Sequence, residues 1–215
     1  RAHLEHFFSP TVVQEILSNE GVLELYGTRR EISVLFVDIR NFTRIAETTE
    51  PKVLVDSLNT YFEMMTQVIF KYKGCVDKYY GDGLMALFGA PISDPSHYLH
   101  AAKAACEMQC AAEKYREIAE KEGLASFHIG IGLNSGTATI GNIGSKQHME
   151  YTAIGDPVNL AFRFSTVALE NQVVLSQDTM KLLVDADFPH QKAIFLGDVL
   201  IKGKDKPVKL FVLEG

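Results

Sequence analysis

Blocks of apolar and polar residues along the chain predict strands and helices in a regular order. Residues 32–39, Ile-Ser-Val-Leu-Phe-Val-Asp-Ile, are too apolar for a strand with one wet face and predict a central strand. From about 44 to 73 the apolar residues Leu54, Leu58, Tyr61 and Met65 recur at three-and-four spacing, which is the helical repeat. Pro51 fits near a helix start, and Gly74 stops the segment. Cys75–Tyr80 and Leu84–Phe88 then read as two strands around Gly81-Asp82-Gly83, a strong hairpin signal. A long helix is predicted over about 97–121, with Gly123 after it. Phe127–Leu133 and Thr137–Ile140 read as a second pair of strands around Asn134-Ser135-Gly136. Beyond them come an extended piece at Tyr151–Ile154 and a helix opened by Asp156-Pro157, with Asp as N-cap and Pro in the first turn, running to about Glu170. Val173–Leu175 reads as a strand, 177–184 as a short helix, and 193–202 with 207–213 as a terminal hairpin around Gly203.

The core order is therefore β-α-β-β-α-β, with hairpins alternating with helices. That predicts an α+β fold: a ferredoxin-like βαββαβ core, a mostly antiparallel sheet with helices packed on it, and a C-terminal β-hairpin. Upstream, Ser9-Pro10 opens a short amphipathic helix carrying Val12, Val13, Ile16 and Leu17, and Gly21 ends it. Residues 1–29 thus read as a helical lead-in from an upstream domain, and 30–215 as one domain. The chain opens on Arg1 rather than Met, which reads as a segment of a longer protein that could carry regulatory or membrane parts.

Composition narrows the function classes. With 215 residues, 47% hydrophobic and 22% charged, the chain suits one globular domain with a substantial core. The net charge of −6 is spread along the sequence and no basic stripe is present, so nucleic acid is not an expected partner. No apolar run approaches the roughly 18 residues of a membrane span and no signal peptide is visible, so the domain is expected in the cytoplasm. The three cysteines, Cys75, Cys106 and Cys110, form no framework, which fits a reducing compartment; they read as small apolar residues rather than metal ligands. The seven histidines show no zinc spacing.

Several residues could carry chemistry. Asp38 closes a very apolar strand, where a carboxylate is costly unless paired or metal-bound; it could equally cap the following helix. Asp82 on its own reads as a turn residue. Taken together the two differ from either alone, because a βαβ unit followed by a hairpin can set the hairpin tip beside the end of the first strand. Two carboxylates there could share metal ions suited to in-line attack at phosphorus. The Arg40-Asn41-Phe42-Thr43 loop runs from strand to helix, where free N–H groups attract phosphate. Asn159 and Arg163, four apart on one helix face, suit a sugar oxygen and phosphate charge, or are a plain exposed polar pair. Lys202 and Lys204 flank a turn glycine, and Lys78 sits on a strand four residues before Asp82; each also reads as a solvated lysine. No Walker, Rossmann or Gly-x-Ser-x-Gly motif is present.

In order, these segments resemble the class III adenylyl and guanylyl cyclases. Val-Leu-Phe-Val-Asp-Ile-Arg-Asn-Phe-Thr (34–43) is similar to the family's first metal strand and phosphate loop, and Asp-Lys-Tyr-Tyr-Gly-Asp-Gly-Leu-Met-Ala-Leu-Phe-Gly (77–89) to its second metal hairpin. Gly-Asn-Ile-Gly-Ser (141–145) and Tyr-Thr-Ala-Ile-Gly-Asp-Pro-Val-Asn-Leu-Ala-Phe-Arg (151–163) resemble its base and transition-state segments, and Ile-Lys-Gly-Lys (201–204) closes the set. The match covers roughly residues 30–213; each segment alone is weak, and five in order are specific.

The resemblance implies ATP turned into 3′,5′-cyclic AMP and pyrophosphate. Asp38, Asp82 and the Ile39 carbonyl would hold two Mg²⁺ or Mn²⁺ ions. Asn159 would orient the ribose and Arg163 would stabilise transition-state charge. Asn41, Phe42, Thr43 and Lys202 would bind phosphate. Lys78 and Thr152 would select the base: Lys78 can donate to adenine N1, whereas guanylyl relatives usually carry Glu there. Sites would be shared across a head-to-tail homodimer, since one chain carries both half-sets.

Two positions depart from the common pattern. Thr152 stands where many mammalian-type adenylyl cyclases have Asp, as in a bacterial and soluble subset with many bicarbonate-responsive members; bicarbonate is thus a candidate activator. Phe162 stands where a small residue is common. The rival readings are a guanylyl cyclase, a catalytically inactive nucleotide-binding dimerisation module, and a phosphatase with an Asp nucleophile. The last commonly needs Asp-x-Asp, and Asp38-Ile39-Arg40 does not supply it.

Overall fold

A computed structural model describes residues 27–145, 147–188, 193–201 and 204–214. The expected lead-in helix at 9–21, Lys202 and the turn glycine Gly203 lie outside the described residues. The described strands are β1 (Thr28–Ile39), β2 (Cys75–Tyr80), β3 (Gly83–Phe88), β4 (Ile129–Ser145), β5 (His148–Ile154), β6 (Gln172–Ser176), β7 (Ala193–Val199) and β8 (Val208–Glu214). The helices are α1 (Phe42–Thr48), α2 (Pro51–Lys71), α3 (His97–Glu122), α4 (Asp156–Val167) and α5 (Gln177–Asp185).

One sheet runs β2-β3-β1-β4-β6-β8-β7, with β5 paired to the far half of β4. The first four strands give the expected βαββαβ core, and only the β4–β6 pairing is parallel. β1 is central and buried on both faces because its side chains alternate between two cores. Leu35, Val37 and Ile39 pack with Tyr61, Met65 and Ile69 of α2 and the alanine-rich face of α3. Ile32, Val34 and Phe36 pack on the other face with Cys75, Met85, Ala153 and Ala161. Asp38 continues this second row, so the carboxylate sits on the face opposite α2 and α3.

The element pattern differs from expectation in two places near the site. Phe127–Leu133 and Thr137–Ile140 are not a hairpin pair: β4 is one unbroken strand of 17 residues, paired with β1 from Thr28↔Ile140 to Ile39↔Ile129. Asn134, Ser135 and Gly136, a turn by composition, are instead small residues on a strand under a helix. Asn134 donates to the Pro157 carbonyl at 3.4 Å, and its own side-chain oxygen accepts from Ser176 at 2.7 Å. Gly155, not Asp156, is the N-cap of α4, and Asp156 occupies the first turn with its carboxylate paired to Lys204 at 2.6 Å. Of the cysteines, Cys75 is buried but Cys110 is exposed. Among the described residues no helix is long and apolar enough to cross a membrane.

Candidate active site

Strand β1 and the β2–β3 hairpin build the first cluster. The two-residue turn Gly81-Asp82 has Gly81 at φ 63°, the positive value such a hairpin needs in its first central position. Tyr80 locks the hairpin to β1 by donating its hydroxyl to the Val37 carbonyl at 3.0 Å, and its ring meets Phe36 edge-on at 5.6 Å. Asp82 is thereby brought close enough to Asp38 for the two carboxylates to interact electrostatically. Burial pushes the Asp38 carboxyl above the usual carboxylate range. The Arg40 guanidinium pulls it down, and the neighbouring Asp82 charge pushes it up again. Arg40 pairs with the Asp38 carboxylate and is itself anchored by the Ala168 carbonyl at 3.1 Å. Burial, then the charges of Asp38 and Asp82, also raise the Tyr80 phenol.

This donor set fits a hard divalent cation. Two neighbouring carboxylates carry like charge, and the Arg40 guanidinium pairs with one of them. Among the described residues no group of three or more His, Cys, Asp or Glu is placed to hold a metal ion. A pair of carboxylates is what magnesium typically takes from a protein when substrate phosphates complete its shell. The loop beyond Ile39 turns at Asn41, which holds a left-handed φ of 59° and caps α1 without a side-chain hydrogen bond. Phe42 and Thr43 open the first turn of that helix.

A second cluster forms where β5 folds over β2. Lys78 pairs with Glu150, and its ammonium lies 3.6 Å from Asp77. Thr152 is buried and donates its hydroxyl to Asp77 at 2.9 Å. Burial would pull the Lys78 pKa down, but Glu150 and Asp77 outweigh it and the ammonium is held more firmly than usual. The two residues expected to select the base therefore meet through a third, Asp77.

The third group is on α4. Pro157, Ala161, Phe164 and Ser165 form its buried stripe, which leaves Asn159 exposed and Arg163 half-buried, one turn apart. Among the described residues, neither has a hydrogen bond or ion pair to Asp38 or Asp82. Phe162 is not core packing alone: it is 40% exposed while its ring sits edge-on to Phe36 at 5.4 Å. Sequence reasoning missed Arg40 as the partner of Asp38, and Asp77 and Glu150 as partners of Lys78. Adjacency to Asp38 and Lys78 was the available signal for Arg40 and Asp77; Glu150 had none.

Comparison with known proteins places this sheet order in a class of catalytic domain. A family model described as the adenylate and guanylate cyclase catalytic domain matches residues 26–215. The chain belongs to this class III cyclase family. Adenylate cyclase 1 of Rhizobium meliloti (strain 1021) is 32% identical over 156 residues, 69% of this chain and 24% of the relative. The adenylate cyclase of Anabaena cylindrica is 29% identical over 96% of this chain and 42% of its own length. The chain thus spans less than half of either curated relative. Among solved structures, the adenylyl cyclase CyaB from P. aeruginosa has a TM-score of 0.82 at 30% identity, covering 89% of this chain and 97% of that one. The guanylyl cyclase Cya2 has a TM-score of 0.80 at 34% identity, covering 88% and 94%. Relatives of both substrate types are therefore present. Catalytic domains of this family bind a nucleotide, are generally metal-dependent and typically work as dimers.

Proposed function

We propose that this chain is the catalytic domain of an adenylyl cyclase that converts ATP to 3′,5′-cyclic AMP and pyrophosphate. The meeting of Asp38 and Asp82 at the end of β1 carries the reading. In the reaction the ribose 3′-oxygen bonds to the α-phosphorus, its hydroxyl proton passes to water, and the bond to the pyrophosphate oxygen breaks with its electron pair leaving on pyrophosphate. Asp38 and Asp82, with the Ile39 carbonyl, would hold two Mg²⁺ or Mn²⁺ ions, which when bound supply Lewis-acid stabilisation of charge on the phosphates and the attacking oxygen. Asn41, Phe42 and Thr43 bind phosphate at the loop entering α1, and Lys202 takes the leaving pyrophosphate. Asn159 orients the ribose. Arg163 offers planar donors to charge that grows on the α-phosphate.

The adenine preference rests on Lys78, a firm cation that donates to N1 of adenine and opposes the N1–H of guanine. Thr152 stands beside it. Among the described residues, Asn159 and Arg163 make no hydrogen bond or ion pair to the aspartates of the same chain. That supports a homodimer in which each site takes its aspartates from one copy and α4 from the other. A guanylyl cyclase is the second reading, favoured by the 34% identity to Cya2.

Incubation with ATP and GTP in parallel, each with Mg²⁺ and with Mn²⁺, is expected to yield cyclic AMP and pyrophosphate as the main products. Cyclic GMP as the preferred product establishes the second reading, and inorganic phosphate alone rejects both. An upstream regulatory domain in the parent chain and bicarbonate as an activator, suggested by Thr152, belong to the same proposal. Equal rates in bicarbonate and chloride at matched pH reject bicarbonate activation.

A further inference from the structure

Asp77 has no assigned task, yet its surroundings are unusual. Its side chain is fully buried, with 0% exposure, next to a lysine that is 36% exposed. It reaches this position through a β-bulge: Val76 pairs with Ala86 and Lys78 with Met85, so Asp77 is the extra residue of β2. A bulge breaks the alternation of faces and re-aims a side chain. Here it turns two consecutive polar residues toward β5. One carboxylate oxygen of Asp77 accepts from Thr152 at 2.9 Å and lies 3.6 Å from Lys78. The other is buried without any partner.

We propose that Asp77 sets the purine preference of the site by fixing the hydroxyl of Thr152, so that Thr152 meets the base only as a hydrogen-bond acceptor. The inference rests on the reading of Lys78 and Thr152 as the base-binding pair. The reasoning is a matter of protons. A threonine hydroxyl has one proton and two lone pairs, and can turn to donate or to accept. An ionised carboxylate only accepts, so the Thr152 proton must point at Asp77. What remains for a ligand is a lone pair. Adenine offers a 6-amino donor at this edge, and guanine a 6-oxo acceptor. The fixed hydroxyl matches the first and faces the second lone pair to lone pair. A threonine without Asp77 would rotate and satisfy either base.

The arrangement also predicts a pH dependence. Burial pushes the Asp77 carboxyl up to about 6; Thr152 and Lys78 lower it and Glu150 raises it. The titratable groups that face Asp77 are Cys75 and Lys78 on β2 and Glu150 on β5; the buried Cys75 thiol is itself raised, first by burial and then by Asp77. Above about pH 6 the carboxylate holds the Thr152 proton. Below it, a protonated Asp77 can donate to Thr152, whose own proton is then free for a guanine oxygen.

The test compares (kcat/KM) for ATP and for GTP, with Mn²⁺, and the dissociation constants of non-reacting ATP and GTP analogues. Asp77→Asn is expected to lower the ATP:GTP ratio at least about tenfold, because a neutral amide can donate to Thr152 and release its proton. In a Thr152→Val background, which has no hydroxyl to fix, Asp77→Asn is expected to leave the ratio unchanged. In the unsubstituted protein the ratio is expected to fall as pH drops from 8 to below about 6, with no fall in Thr152→Val. Circular dichroism checks that each variant is folded. An Asp77 that only supports the fold would slow ATP and GTP by the same factor; that result, with a flat pH profile, overturns the proposal. If Lys78→Glu and Thr152→Val themselves leave the ratio unmoved, the base-binding reading fails and this inference falls with it. If they move the ratio and Asp77→Asn does not, only the role of Asp77 is rejected.

Discussion

Asp38→Ala and Asp82→Ala proteins, each alone, are expected to form cyclic nucleotide at least about a thousandfold more slowly than the parent, the several kcal/mol that charge stabilisation by bound metal typically contributes. Asp82→Ala is expected to leave the thermal midpoint in metal-free buffer at or above that of the parent, whereas Asp38→Ala also strips Arg40 of its carboxylate partner and is expected to lower it. The two carboxylates are adjacent, partly buried and of like charge, with Arg40 as the compensating cation. Such a pair is a cost to the fold in the absence of a ligand, so removing Asp82, which leaves the Asp38–Arg40 pair intact, relieves repulsion. Loss of activity with undiminished stability in Asp82→Ala is thus the signature of a metal-holding pair; loss of both there would mean that Asp82 is structural. Arg163→Ala is expected to be about a hundredfold or more impaired through loss of charge stabilisation. If sites are shared between copies, mixing Asp38→Ala with Arg163→Ala restores one intact site per heterodimer. A random equal mixture should then recover about a quarter of parental activity, because half of the dimers are mixed and each has one working site of two. A mixture shown to have exchanged subunits, yet no more active than its components, would rule out sharing.

How much of this was legible in the sequence depends on how local the cause is. The central position of β1 could be read because burial on both faces demands an unbroken apolar run, and 32–39 is one. The turn at Gly81-Asp82 could be read because a two-residue hairpin needs a positive φ that glycine supplies. The start of α4 at Asp156-Pro157 was legible to within one residue. What failed was Asn134-Ser135-Gly136. Its composition is that of a turn, but its contacts are tertiary: Asn134 bonds the Pro157 carbonyl and Ser176, and Gly136 lies against the Pro157 ring. No local pattern distinguishes a glycine needed for a bend from one needed for a close approach. The same holds at the site. Asp38, Asp82, Lys78, Thr152, Asn159 and Arg163 could be singled out from motifs in order along the chain. Asp77 had only its adjacency to Lys78 as a signal, and alternation along β2 would put the two on opposite faces; the bulge brings both to Thr152. Glu150 reaches Lys78 from 72 residues away, through a strand that folds back on the sheet. Pairings of that kind belong to the topology, not to any segment.

The close approach of α4 to β4 has its own consequence, the second large effect expected here. Along β4, Ile129, Ile131 and Leu133 face the helical layer and are fully buried, so the intervening positions face α4. At Gly132 a Cβ would lie 2.9 Å from the Phe164 carbonyl carbon and closer still to the Ala161 oxygen and the Ser165 nitrogen. These are backbone atoms of a packed helix, so no side-chain rotation can make room. Gly132→Ala must either move α4 off the sheet or bend β4, which is hydrogen-bonded on both sides through Phe36 and Val174. A loss of about 3 kcal/mol is expected, the upper end of what one inserted methyl costs in a tight core. For a domain of this size that lowers the thermal midpoint by roughly 6–12 °C. Gly136→Ala is the graded comparison: its Cβ would meet only the Pro157 ring, at 3.0 Å, and a smaller loss is expected. Because α4 carries Asn159 and Arg163, a Gly132→Ala protein that still folds should also lose about a hundredfold in turnover, the cost of a misplacement near 1 Å. Calorimetry that finds Gly132→Ala within 2 °C of the parent, or no worse than Gly136→Ala, would mean that helix and strand are not in the contact described. The placement of the arginine would then have to be argued afresh.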